Sequence, residues 1–376
     1  MNTWLLVSGD FTTLGGMDRA NHAQAAFLAR RGDTVHLVAH RIAEDLRRLP
    51  ALHVHEVRRP MNAHLAGAPL LANEAAQRRH ALGASVRMLV NGGNADAGAT
   101  WVHYLHAAYE PVVQSSVRTR LSASLGRDYY LRRERDVITN ASLVICNSTR
   151  TATDVKQHYR LPDARVRVVY YGVDQNAFAP IDQDQRASAR RALEIRDDRR
   201  VALFVGALGD RRKGFDVIFD AWRPLATDPG WDVDLIAAGT GAEREAWERR
   251  AAAAGLGQSM RFLGFRDDIA SVIAAADVLI HPARYEAYGL GVHEAICRGL
   301  PAIVTSSAGI AERYPRNLHE LLLPDPPEPA ALTRALKTWR QGADAWPVRF
   351  EPFAQVLRSR SWDDMAAEIA SLVEAA

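Results

Sequence analysis

Short unbroken runs of Val, Ile and Leu alternate with longer stretches of helical periodicity, and the alternation occurs twice along the chain. Apolar runs without polar alternation belong to strands buried on both faces, and the helices between them supply the crossovers that parallel strands require. In the first half the runs fall at 4–8, 34–39, 53–57, 86–91, 101–105, 143–147 and 166–170. In the second they fall at 201–205, 233–237, 260–263, 278–281, 302–305 and 320–323. Residues 17–31 read as an amphipathic helix ended by Gly32. At 376 residues the chain is too long for one core and long enough for two. The expected fold is α/β, with two Rossmann-like domains whose parallel sheets face a central cleft. In open sheets of this kind ligands bind at the carboxyl ends of the strands.

The break between the two series follows Tyr171-Gly172-Val173-Asp174. We therefore expect an N-terminal domain over 1–176, a C-terminal domain over 177–354, and a closing helical segment, 355–376, packed back on the N-terminal domain. Ser361-Trp362-Asp363-Asp364 has the form of a capped helix start with no strand after it.

Hydrophobic residues make up 48% and charged residues 24%, which suits a folded globular chain and excludes disorder. No segment approaches the roughly 18 uninterrupted apolar residues of a spanning helix. The apolar run at the start stops before Asp10, short of a signal sequence, so cytoplasmic residence is expected. Cys146 and Cys297 sit inside apolar contexts and are expected to be buried free thiols. Residues 1–176 carry 22 Lys+Arg against 15 Asp+Glu, leaving 25 against 29 for the remainder. A basic N-terminal half suits an anionic acceptor, or peripheral contact with the inner face of a membrane carrying a lipid-linked one. Solvated arginines on helix faces account for the same imbalance more simply. Basic residues do not interleave with aromatics, so no nucleic-acid partner is expected.

The strongest motif is Glu286-Ala287-Tyr288-Gly289-Leu290-Gly291-Val292-His293-Glu294. Its glycines let backbone approach a ligand at a helix N-terminus, where unpaired N–H groups and the dipole favour a phosphate. Glu294 is then placed to take the two hydroxyls of a ribose, and Glu286 to reach the sugar or phosphate side. On spacing alone, a solvated helix charge at Glu294 and a cap at Glu286 fit equally well. A second motif, Gly206 through Arg212-Lys213-Gly214, is a glycine-bearing turn between a strand and a helix. Arg212 and Lys213 offer a metal-free pair of cations for a diphosphate, although a solvated basic turn is an alternative. Lysine occurs only at 156, 213 and 337. Gly15-Gly16 follows the first strand and opens a helix, a weaker phosphate-cradling or acceptor-side signal. His103 and His106 lie near the end of the run at 101–105, and strand alternation directs only one of them to a given cleft.

In this order, these segments resemble glycosyltransferase family 4, a retaining group with the GT-B fold. The resemblance spans nearly the whole chain: the Gly15-Gly16 loop, His106, Val144-Ile145-Cys146-Asn147-Ser148, the Arg212-Lys213-Gly214 turn, the Glu286/Glu294 pair and the Trp362 helix. It implies a hexosyl transfer from a nucleotide diphosphate sugar, UDP- or GDP-linked, as co-substrate, with no other cofactor and no metal. The acceptor, a glycan, a lipid-linked glycan or a small molecule, would sit on the N-terminal domain, as in polysaccharide biosynthesis. Lys213 and Arg212 would neutralise the leaving phosphates, Glu294 hold the ribose, Glu286 contact sugar or phosphate, and His106 touch the donor sugar. Gly15, Gly16, Gly206 and the amides of Tyr288, Gly289, Leu290 and Gly291 would complete the donor site. One departure is Ala207, where many members carry arginine after the glycine. Asp232-Val233-Asp234 resembles a metal-binding aspartate pair but sits at the beginning of a strand, the wrong end for the crevice. Two alternatives remain: a nucleotide-sugar epimerase of the same architecture, and an inactive nucleotide-sugar-binding protein. A nicotinamide oxidoreductase is disfavoured because Gly15-Gly16 lacks the Gly-x-Gly-x-x-Gly spacing.

Overall fold

The two series of apolar runs become two parallel sheets in the computed structural model, which describes residues 2–96, 98–110, 117–209 and 211–376. In the first sheet Thr3–Val7 is central. Thr34–Ala39 and then Leu52–Glu56 lie on one side; Arg87–Asn91, Ala99–Val102, Leu143–Cys146 and Val166–Val168 lie on the other. The second sheet repeats the plan around Arg200–Val205. Val233–Ala238 and Met260–Gly264 flank it on one side, and Val278–His281, Ala302–Thr305 and Leu322–Leu323 on the other. The ladders of both sheets are parallel.

Burial explains why the runs lack alternation. Every residue of Val278–His281 and of Ala302–Thr305 is buried, because helices cover both faces. On one face of the first sheet Leu5, Val7, Val38 and Val90 pack with Leu71 and Ala75 of the helix His64–Leu82. Some strands stop earlier than their apolar runs. Ala99–Val102 ends before His103, whose carbonyl accepts from the Asn147 side-chain amide at 3.1 Å instead of a ladder partner. The run at 320–323 keeps only Leu322–Leu323 as strand, since Arg316–Leu321 winds into a 3-10 turn. Cys146 and Cys297 are buried free thiols.

The chain forms two compact units, one of described residues up to Gly172 together with Arg360–Ala376, the other running from Val173 to Ser359. The division thus falls between Gly172 and Val173, against the 176/177 break placed from sequence, and the closing segment joins at Arg360 rather than at 355. Its helix, Trp362–Ala375, starts with a capping box in which Ser361 and Asp364 bond each other's backbone amides. Met365, Ile369 and Val373 bury one face in the first unit. Gln24 donates to the Ala366 carbonyl at 3.3 Å, and Arg31 pairs with Glu374 at 2.6 Å.

The backbones of Gly172 and Ser361 touch directly: a Cβ built on Gly172 would lie 2.0 Å from the Ser361 carbonyl oxygen. Backbone cannot yield as a flexible side chain can. Gly172→Ala is therefore expected to lower the unfolding free energy by about 3 kcal/mol, the upper end of ordinary overpacking. Denaturant unfolding measures this, and wild-type stability would contradict the contact.

Candidate functional site

Strand order reverses beside the first strand of each sheet, and the loops leaving the two strands at that point diverge and leave a crevice at their carboxyl ends. In the second unit the two strands are Arg200–Val205 and Val278–His281. From Val205 the chain passes Gly206 and the Arg212-Lys213 turn into the helix Phe215–Ala226; from His281 it passes Glu286 into the helix Leu290–Cys297.

Several contacts bind these loops together. Gly214 caps the Phe215–Ala226 helix at φ 72°, a left-handed conformation, and a Cβ there would lie 1.8 Å from the Pro282 carbonyl oxygen. Arg284 forms a two-point pair with Asp216, 2.7 Å on each arm, and donates to the Arg211 carbonyl at 2.8 Å. The Arg284 amide donates to the Arg212 carbonyl at 2.8 Å. Gly206 leaves room for the lysine stem, since a Cβ at that position would stand 3.2 Å from Lys213 Cγ.

The result is a compact charged centre. Lys213 Nζ donates to Glu286 Oε2, and His281 Nε2 lies 2.8 Å from the same oxygen. Arg212 donates to the Tyr285 carbonyl at 3.4 Å. Burial acts to raise the Glu286 carboxyl, but the Lys213 ammonium, the His281 hydrogen bond and Arg212 together hold it well below the usual carboxylate range. Glu286 is therefore ionised. Burial holds His281 below its ordinary value despite the opposing pull of Glu286.

Gly289 caps the Leu290–Cys297 helix, and a Cβ on Gly291 would meet nothing within 4 Å, so the helix start borders open space. Glu294, one turn further on, is 3% exposed. The Leu290 side chain is buried. Tyr288 hydroxyl bonds His293 Nδ1 at 2.8 Å and accepts from Arg313 at 3.2 Å. Backbone, not the Tyr288 ring, is thus what this residue offers a ligand. The structure brings Gly206, Arg212, Lys213, Glu286, Gly289, Gly291 and Glu294 into one unit, on the loops and helix starts that follow the two strands at the reversal. Sequence reasoning missed His281, Arg284 and Asp216; the signal for His281 was its place as the last residue of a strand beside the reversal.

Gly15, Gly16 and His106 belong to the first unit, whose own reversal lies between Thr3–Val7 and Arg87–Asn91. There a cavity of about 350 Å³ is lined by Gly9, Met17, Asn91, Tyr130 and His106 among others. Gly15 caps the helix Gly16–Arg30 next to Met17. His106 opens a short 3-10 turn rather than continuing a strand. Its ring stacks on Tyr130, with centroids 5.1 Å apart, and burial, with Arg127 nearby, pushes it down to about 4. Glu134, another residue missed, accepts from the amides of His106 at 2.7 Å and Ala107 at 3.1 Å and from Tyr159 hydroxyl at 2.5 Å. His103 is a core residue bonded to Tyr171 hydroxyl, and burial pushes it down to about 3. Alternation could not decide between the two histidines, because the strand ends at Val102.

Asp232 is held by both arms of Arg340, at 2.6 and 2.5 Å, and Asp234 by Arg199 at 2.7 Å. Among the described residues no group of three or more His, Cys, Asp or Glu is arranged to hold a metal ion.

Residues 14–177 match the family profile Glycosyltransferase Family 4, and residues 199–340 match Glycosyl transferases group 1. The chain belongs to glycosyltransferase family 4. Its fold is GT-B: WaaG, a glycosyltransferase involved in lipopolysaccharide biosynthesis, superposes with a TM-score of 0.78 at 19% identity, covering 98% of this chain and 99% of that one. Anabaena HepE, solved in complex with UDP and glucose, gives 0.71 at 18% identity, with 99% of each chain covered. A D-inositol 3-phosphate glycosyltransferase of Corynebacterium urealyticum is 29% identical over 72% of this chain and 65% of its own length. One from Geodermatophilus obscurus is 31% identical over 55% of this chain and 48% of its own length. The chain thus spans less than two thirds of these curated relatives.

The buried imidazoles have a consequence for stability. Burial holds His36 and His106 at about 4, His103 at about 3, and His55, His64 and His281 below their ordinary value. The unfolded chain binds these protons near pH 6.5 while the folded chain refuses them, so their contribution is present above 6.5 and lost as pH falls. Asp18 and Glu134 work in the opposite sense, since burial and Asp10 raise Asp18 to about 7 and burial raises Glu134, but they are two groups against six. The thermal midpoint is expected to be lower at pH 5 than at pH 7. A midpoint that does not change between these values would contradict the burial of the histidines.

Proposed function

We propose that the chain is a retaining, metal-independent glycosyltransferase that moves a sugar from a UDP- or GDP-sugar to a glycan, lipid-linked or small-molecule acceptor. The observation that carries this reading is the second-unit crevice, where Lys213 and Arg212 stand beside an ionised Glu286 and a helix N-terminus leads to Glu294. That set suits a diphosphate flanked by a sugar on one side and a ribose on the other. UDP in HepE supports the donor class, and the named activities of WaaG and the inositol phosphate enzymes support the breadth of acceptors.

In this reading the arriving diphosphate draws Lys213 away from Glu286. Glu286 then accepts from the sugar, Glu294 binds the ribose hydroxyls, and amides from Tyr288 to Gly291 meet phosphate oxygens. As the bond from the anomeric carbon to the leaving phosphate stretches, charge grows on the diphosphate, and Lys213 and Arg212 stabilise it. The acceptor hydroxyl adds to the same face of an oxocarbenium-like centre, and a phosphate oxygen takes its proton. The first-unit cavity serves the acceptor side. His106, neutral at physiological pH, contributes a hydrogen bond to the sugar rather than proton abstraction. No helix among the described residues is long and apolar enough to cross a membrane, so any lipid-linked acceptor is met through peripheral contact by the basic N-terminal half.

Incubation with UDP- and GDP-sugars and candidate acceptors, followed by mass spectrometry, is expected to yield a product with retained anomeric configuration, undiminished by exhaustive chelation. Loss of turnover with EDTA and rescue by manganese or magnesium would overturn the metal-independent reading. Lys213→Ala is expected to lower kcat by roughly 100-fold while donor affinity falls less, because the cation matters most once the bond has begun to break. Folded Lys213→Ala protein with normal kcat would remove Lys213 from this role.

A further inference from the structure

Glu286 is held asymmetrically. Lys213 Nζ and His281 Nε2 both bond to Oε2, and among the described residues no hydrogen bond reaches Oε1. The carboxylate is 12% exposed, while His281, the last residue of its strand, is 6% exposed. An ionised carboxylate only accepts, so the imidazole must donate, which places its proton on Nε2. His281 is fixed by the sheet, and it outlasts any event that withdraws Lys213.

We infer that His281 is a positioning residue for donor-sugar recognition: by occupying Oε2 it keeps Oε1 of Glu286 turned outward to accept a hydroxyl of the sugar being transferred. The inference rests on the reading of this crevice as a nucleotide-sugar site. When a diphosphate takes Lys213, Glu286 loses one of its two anchors. A carboxylate with no anchor would follow the ammonium or rotate, and the sugar would lose its acceptor. With His281 in place, the same oxygen stays bound and the free one stays presented. Glu294 has a different position, one turn inside the helix Leu290–Cys297, and does not depend on this imidazole.

Binding to the sugar and to the nucleotide should therefore separate in a His281 variant. The test is calorimetry of the full chain with UDP, GDP, UDP-glucose and GDP-mannose, comparing wild type, His281→Ala and His281→Gln. In His281→Ala, affinity for the nucleotide sugar is expected to fall about 10-fold or more, the scale of a lost hydrogen bond to a charged group, while affinity for the free nucleoside diphosphate changes less than about threefold. His281→Gln, whose amide N–H donates near the position of Nε2, is expected to restore most of the loss. Equal loss for nucleotide and nucleotide sugar, no loss for either, or failure of glutamine to rescue would overturn the inference while leaving the nucleotide-sugar reading intact. Folded wild-type protein that binds none of the four probes would overturn that reading, and this inference with it. Should His281→Ala not fold, nitrogen NMR of labelled histidine in the wild-type chain decides: a proton on Nε2 supports the inference, and a neutral ring protonated on Nδ1 alone overturns it.

Discussion

A parallel sheet buried on both faces leaves its backbone accessible to a ligand mainly at the strand ends, and the reversal of strand order beside the first strand decides where those ends open. This topological constraint acts twice here. In the first unit it lies between Thr3–Val7 and Arg87–Asn91, and the cavity lined by Gly9, Asn91 and His106 forms there. In the second it lies between Arg200–Val205 and Val278–His281, and the Lys213, Glu286 and His281 centre forms there. The chemistry is confined to loops, whereas the helices and strands behind them are packed to hold those loops still.

How much of this could be read from residues alone depended on the kind of interaction. Fully buried strands leave an unbroken apolar run, so the two sheets were legible, while their ends were not, because a side-chain bond such as Asn147 to the His103 carbonyl can replace a ladder bond without altering hydropathy. Glu286, Gly289, Gly291 and Glu294 were legible because they lie within nine residues of one another on one loop and helix. Arg284 and Asp216 were not. They are 68 residues apart in sequence, and the pair exists only once two loops meet. Glu134 stands 28 residues from His106 on a helix with no motif of its own. What sequence hides is pairing at long range, and the precision of a site rests on such pairs.

The Lys213–Glu286 pair is costly as a stabilising device. Taking two charges out of water consumes most of what their attraction returns, and removing one partner strands the other. Its placement makes sense as preorganisation. The ammonium and the carboxylate are desolvated before any ligand arrives, so a diphosphate exchanges one anion for another at Lys213 rather than stripping water from a bare cation. Gly214 against Pro282 and Arg284 across Asp216 keep that centre from relaxing outward.

The two buried carboxylates of the two units show how the count of bonds per oxygen separates a structural role from a recognition role. Glu134 uses both oxygens within the fold, Oε2 for the His106 amide and Oε1 for the Ala107 amide and the Tyr159 hydroxyl. Burial raises it even so, which fits a group enclosed by neutral donors. Three of its four acceptor positions are taken within the fold, and what it contributes is the conformation of the His106 turn. Glu286 is buried to a similar degree but sits among cations, remains ionised, and commits a single oxygen to its neighbours. A carboxylate that is charged, anchored on one side and open on the other has the geometry to recognise a hydroxyl, and in this fold it lies at the strand ends where the topology opens a crevice.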